Sequence, residues 1–169
     1  MKKLIDIVNG LDFNASQNVA NLEVASLVFD SRKANENALF FAIVGFTNNG
    51  HQFVQDVYNR GCRAFVVQEN IYLPSDALVI SVKDTSFALG VAACNFYDNP
   101  SHKLTLVGVT GTNGKTTTTT LLHKLFMGIG YQTGLISTVV NKIGETQIPS
   151  THTTPDPVSL NALLHQMVE

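Results

Sequence analysis

Leu104-Thr105-Leu106-Val107-Gly108-Val109-Thr110-Gly111-Thr112-Asn113-Gly114-Lys115-Thr116-Thr117 runs from an apolar stretch into a glycine-rich turn and leaves it through Gly-Lys-Thr. The pattern predicts a strand, a tight loop and then a helix. Gly111 and Gly114 let the backbone curl until successive N–H groups point at one place. A helix starting near Lys115 adds the positive end of its dipole there, which makes a cradle for phosphate. Lys115 can reach the β- and γ-phosphates of a nucleotide as a point charge. The Thr116 hydroxyl stands where the phosphate-loop pattern places a Mg²⁺ ligand. The spacing departs from the common form, since Val109 holds the position of the first glycine. Seven threonines fall between Thr110 and Thr120. Thr118, Thr119 and Thr120 have the simpler role of bonding carbonyls in the first turns of the helix.

Downstream, Lys115–Met127 reads as a helix with Leu121, Leu122, Leu125 and Phe126 on one face. Gly134–Val140 reads as a strand, and Lys142–Glu145 as a turn between strands. Pro155-Asp156-Pro157 is a helix start, followed by Leu160, Leu163, Leu164, Met167 and Val168 at amphipathic spacing. Only Glu145, Asp156 and Glu169 supply carboxylates after the loop, and none ends an apolar strand as a metal-binding aspartate would. A phosphate cradle with so little chemistry around it predicts that the chain is the first part of a longer protein.

Upstream, short apolar runs alternate with helical patterns. Ser26–Phe29, Leu39–Val44, Ala64–Val67 and Leu78–Val82 read as strands. Asn48-Asn49-Gly50 is turn chemistry. His51–Arg60 reads as a helix capped by Gly61, and a second helix runs from Asp84 or Thr85 to about Tyr97. The polar, proline-bearing stretch Tyr97–His102 is the candidate boundary. The fold class expected is α/β: a small N-terminal α/β substrate domain over 1–98, then the beginning of a P-loop-type, mostly parallel-sheet ATPase domain over 99–169.

Composition closes off other classes. The chain has 169 residues, 44% hydrophobic and 14% charged, with a net charge of −2. That excludes a disordered chain and gives no basic footprint for nucleic acid. No apolar run approaches the ~18 residues of a membrane span, and Asp6 and Asn9 break any signal-peptide core. Cys62 and Cys94 are too few for a disulfide framework and read as buried thiols of a reducing cytoplasm. His51, His102, His123, His152 and His165 have no metal-ligand spacing. His123 and His165 read as surface or packing residues. His152 lies in the hydroxyl-rich Ser150–Pro155, where a helix-capping loop and a binding loop remain equal readings.

Gly111–Thr117 resembles the ATP loop of the Mur ligases, the ATP-dependent amino-acid ligases of peptidoglycan synthesis. Asp30-Ser31-Arg32, Leu39–Ala42, Gly45 to His51, the Tyr97–Ser101 junction and Thr153-Thr154-Pro155 resemble the branch that adds the third peptide residue. The resemblance implies a three-domain cytoplasmic enzyme of more than twice this length. It would phosphorylate the free carboxylate of UDP-N-acetylmuramoyl-dipeptide to an acyl phosphate, which the amine of diaminopimelate or lysine then displaces. Gly111, Thr112, Asn113, Gly114, Lys115, Thr116 and Thr117 would bind ATP, with Thr116 at Mg²⁺ and Lys115 stabilising the phosphates. Phe29, Ser31, Phe46, Thr47 and Asn48 would lie at the UDP-sugar site, and His152, Thr153 and Thr154 would contact substrate from the central domain. The chain alone would be inactive, because the acidic metal ligand, modified lysine and amino-acid-selecting motif of the family lie further along. Two alternatives stand beside this: the related ligase that adds D-Ala-D-Ala, and a small non-catalytic nucleotide-binding module.

Overall fold

The structure is a computed structural model that describes residues 1–45, 48–149 and 155–169. Two compact units divide the chain, Met1–Phe96 and Tyr97–Glu169.

The first unit is built on continuous apolar runs. Strands β4 (Ser26–Val28), β5 (Ala38–Phe41), β6 (Ala64–Val67) and β7 (Leu78–Val82) lie side by side and parallel, and every residue of β5 and β6 is buried. Such runs suit the middle of a parallel sheet, where both faces are covered. Strand β2 (Phe13–Ala15) adds an antiparallel edge, giving the order β2-β7-β6-β5-β4. The α/β class expected from sequence is therefore present, but this first unit, and not the ATPase part for which the sequence predicts it, carries the mostly parallel sheet.

Successive side chains of a strand alternate between faces. Phe40, Phe65 and Val67 pack on one face with Val54 and Val57 of helix α2 (Val54–Asn59) and with Cys62. The Phe40 and Phe65 rings meet edge to face, centroids 6.3 Å apart. Helix α3 (Thr85–Phe96) packs against β4, β6 and the short helix α1 (Leu4–Ile7). Asp84 caps α3 by accepting from the amides of Ser86 and Phe87. Lys2, in strand β1 (Lys2–Lys3), donates to the carbonyls of Asn95 and Phe96 at the negative end of α3, and β1 pairs with β3 (Glu23–Val24).

The expected helix from His51 begins as a tight 3₁₀ turn over Gly50–Phe53 and becomes α-helical only at Val54. The strand expected over Leu39–Val44 stops at Phe41, and Val44 instead forms a lone bridge with Asn49.

The second unit holds α4 (Lys115–Gly128), α5 (Pro157–Val168) and a three-stranded antiparallel sheet of β8 (Gly134–Leu135), β9 (Val140–Ile143) and β10 (Thr146–Pro149). The β9–β10 turn passes through Gly144 at φ +54°. Helix α5 packs against a 3₁₀ turn over Pro100–Lys103. Leu104–Val109 departs from expectation and is not a strand. A strand needs a neighbour for its backbone groups, and the described strands of this unit pair only with one another. Leu106 and Val107 are accordingly exposed.

Candidate functional site

The phosphate loop adopts the conformation its glycines allow. Gly111 sits at φ +144° and Gly114 at φ +80°, and Gly114 is the residue from which α4 starts. Thr110 to Lys115 are exposed, so the loop and the positive end of a fourteen-residue helix open to solvent together. Lys115 folds back over the turn and donates to the carbonyl of Gly111 and, at 3.4 Å, to that of Thr112. The ammonium thus lies over the loop rather than extended into solvent. Thr119 bonds the carbonyls of Lys115 and Thr116, the helix-internal role expected of these threonines.

Thr116 is half-buried, and its hydroxyl lies 3.5 Å from that of Thr138. Thr138 belongs to a turn that holds its own shape: the Ser137 hydroxyl donates to the Val140 carbonyl at 2.7 Å and accepts from the Val140 amide. The Asn141 side chain, buried below it, accepts from the Ser137 amide. No sequence motif marked Thr138, because the contact spans twenty-two residues and depends on that turn. Among the described residues no group of three or more His, Cys, Asp or Glu could hold a metal. The donors present fit a nucleotide's phosphates and supply a hydroxyl, but no carboxylate set, for Mg²⁺.

In the first unit, Phe29 and Ser31 follow the carboxyl end of β4, while Asn48 follows that of β5, the adjacent parallel strand. Open α/β sheets bind ligands outside the carboxyl ends of their strands, and these residues follow two neighbouring ends of that kind. Phe29 is exposed and Ser31 opens a 3₁₀ turn capped by Asp30. Arg32 grips both carboxylate oxygens of Asp30, at 2.9 and 2.8 Å, and its hydrogen bonds bring the Asp30 carboxyl down to a pKa of about 2. The Arg60 guanidinium donates to the Ser31 carbonyl. Asn48 is exposed, and its carbonyl accepts from the Gly45 amide. Phe46, Thr47, His152, Thr153 and Thr154 lie outside the described residues.

His51 occupies a place the sequence did not suggest. Its side chain is 5% exposed. Nε2 accepts from the amides of Gln68 (3.0 Å) and Glu69 (3.3 Å), just beyond β6, while Nδ1 lies 2.8 Å from the Asn49 side-chain oxygen. Burial holds the imidazole pKa below its usual value, against an upward pull from Glu69. His123 is buried on α4 and His165 is half-buried against the Tyr97 ring, so both are packing residues.

Comparison with known proteins gives this geometry a family. The profile of the Mur ligase middle domain matches residues 109–169, and that described as Mur ligase family, catalytic domain, matches 23–97. The chain belongs to the Mur ligase family. Among curated relatives, it is 51% identical over 151 residues to the UDP-N-acetylmuramoyl-L-alanyl-D-glutamate--2,6-diaminopimelate ligase of Cytophaga hutchinsonii, covering 88% of this chain and 31% of that protein. It is 44% identical over 169 residues to the ligase of the same name from Phocaeicola vulgatus, covering 99% and 35%. The chain thus spans about a third of the length of the curated Mur ligases it matches. A solved UDP-N-acetylmuramoyl-L-alanyl-D-glutamate--2,6-diaminopimelate ligase superposes over 99% of this chain and 34% of its own, with TM-score 0.75 and 20% identity. The MurF ligase of Thermotoga maritima, solved in complex with ADP, covers 83% and 30%, with TM-score 0.55 and 23% identity. These two likenesses show the Mur ligase fold.

Proposed function

We propose that the chain supplies the uridine-nucleotide substrate domain (1–98) and the first part of the ATP-binding domain (99–169) of a cytoplasmic ligase of peptidoglycan synthesis. The ligase adds diaminopimelate to UDP-N-acetylmuramoyl-L-alanyl-D-glutamate. The reading rests above all on the likeness of nearly the whole chain to curated ligases of that name. Those names favour diaminopimelate over lysine, and the dipeptide over the tripeptide substrate of the D-Ala-D-Ala ligase.

On this reading Gly111, Thr112, Asn113 and Gly114 offer loop amides to the nucleotide phosphates, aided by the dipole of α4. Lys115 turns from the loop carbonyls to a phosphate oxygen, and Thr117 sits in the first turn behind it. Thr116 offers its hydroxyl to Mg²⁺, which when bound neutralises charge on the phosphates. Phe29, Ser31, Phe46, Thr47 and Asn48 contact the uridine-nucleotide end, and His152, Thr153 and Thr154 contact substrate from the second unit. In the whole ligase the substrate carboxylate takes the γ-phosphoryl group as ADP leaves. The amino group then displaces phosphate to form the amide.

The test is calorimetry with the chain and UDP-N-acetylmuramoyl-L-alanyl-D-glutamate. Binding that UDP displaces is expected, with no ADP release when diaminopimelate and Mg-ATP are added. Absence of binding, or turnover by this chain alone, overturns the reading.

A further inference from the structure

The imidazole of His51 ties together two segments that the fold brings to the same sheet edge. On one side are Asn48, Asn49 and Gly50, held to the residues after β5 by the Val44–Asn49 bridge and by the bonds Gly45 N–H to Asn48 carbonyl (2.9 Å) and Gly50 N–H to Ile43 carbonyl (2.7 Å). On the other is the end of β6, where the amides of Gln68 and Glu69 both point at Nε2. Backbone amides can only donate, so Nε2 has to be the bare nitrogen and Nδ1 the one that carries hydrogen. That Nδ1–H then donates to the Asn49 oxygen, which also accepts from the His51 amide. The Asn49 amide nitrogen, turned the other way, donates to the Glu69 carboxylate at 2.8 Å. One protonation state and one tautomer satisfy every group. A second ring proton would face two N–H groups with nothing to accept it.

We propose that His51, kept as a neutral imidazole, is a positioning residue that holds Asn48 and Asn49 in place for a uridine nucleotide and releases them on taking a proton. The proposal rests on the uridine-site reading above. It adds to that reading a residue touching no ligand and a pH dependence of ligand affinity. The charged group facing the ring is Glu69, 3.9 Å from Nδ1 and half exposed. The other groups around it, Asn49 and the two amides, are uncharged, as are the Gln68 side chain and the Thr85 it bonds at the start of α3. Burial opposes the charged ring more strongly than Glu69 favours it. The unlatched loop therefore binds the proton more readily than the latched one. The latch is whole above the ordinary histidine value of ~6.5 and is lost as pH falls through the lower value of the latched state.

The experiment measures the affinity of the chain for UDP-N-acetylmuramoyl-L-alanyl-D-glutamate by calorimetry, from a pH of about 7.5 to about 5, spanning that ordinary value. Amide exchange of Gln68 and Glu69 is followed over the same range. The expected result is a severalfold loss of affinity on acidification, in step with faster exchange at both amides. His51→Gln keeps one acceptor but cannot titrate. It should bind more weakly at the upper end and show no pH slope, with the circular dichroism of the parent chain. Affinity that stays flat while His51 titrates and the two amides open overturns the latch. A slope that persists in His51→Gln overturns it as well. A chain that binds no UDP-linked ligand at any pH, while the amides still open with acid, overturns the uridine-site reading and the proposed coupling to ligand together.

Discussion

At the scale of single residues, the loop after β5 is fixed by what its backbone will tolerate. A Cβ built on Gly50 would stand 2.7 Å from the amide nitrogen of Ile43 and 2.8 Å from its carbonyl oxygen. Both are main-chain atoms of a segment running out of the buried core, so neither side can give way cheaply. The glycine is needed for close approach, and its neighbour Asn49 supplies the side-chain bonds that this approach makes possible. Gly50→Ala is expected to lower stability by about 1–3 kcal/mol, the usual range for overpacking. Because the strain falls on the loop carrying Asn48, it should also weaken UDP displacement of bound substrate. Urea unfolding followed by circular dichroism gives the first quantity and calorimetry the second. A variant with the parent midpoint and affinity would show that the loop relaxes freely.

At the scale of elements, the parallel strands were legible because they are continuous apolar runs with turn chemistry at both ends. Ala64–Val67 and Leu78–Val82 form at the expected residues. The same signal misleads at Leu104–Val109. Apolar character makes a segment suitable for a sheet but cannot supply the neighbouring strand, and none of the described strands lies beside it. Two-residue pairings such as β1 with β3 are too short to show any period. In the sites, the cradle of Gly111–Lys115 was legible because its chemistry is local in sequence. Thr138 and the His51 latch were not, since each joins residues about twenty positions apart. Helix α5 shows a local signal read correctly. Asp156 caps it by accepting from the amides of Val158 and Ser159 at 3.0 Å and from the Ser159 hydroxyl. Burial pushes the Asp156 carboxyl up, but those bonds outweigh it and leave the pKa below the ordinary value. A lowered carboxyl stabilises the folded form above the unfolded value of ~3.9 and loses that contribution as pH falls further. Asp156→Ala is expected to cost about 1 kcal/mol at neutral pH, as for other lost caps. The difference should shrink in acid, which thermal unfolding of both proteins across pH would reveal. A constant difference down to the lowest pH would mean that the charge is not what caps the helix.

At the scale of the whole molecule, the two units differ in how much core they hold. The first buries Phe40, Phe41, Phe65, Leu39 and Ile80 completely, and β5 and β6 have no exposed residue. In the second, Pro100, Leu135 and Leu164 are the buried apolar residues among those described, accompanied by the polar His123, Asn141 and Asn161. The apolar face expected of α4 is largely uncovered, with Leu121 61% and Leu125 56% exposed, and Ile129 and Tyr131 just beyond it are exposed too. Each large aliphatic side chain left in water forgoes roughly 1.5–3 kcal/mol of burial. Local opening costs least where buried apolar contact is scarce. Amides of β5 and β6 should therefore exchange only through the largest opening, and those of α4 should exchange much faster. Urea at concentrations that leave the Phe40 and Phe65 amides protected should already release α4. Native-state hydrogen exchange, read residue by residue against urea, separates the cases. Equal protection in α4 and β5 would mean that the chain unfolds as one cooperative body.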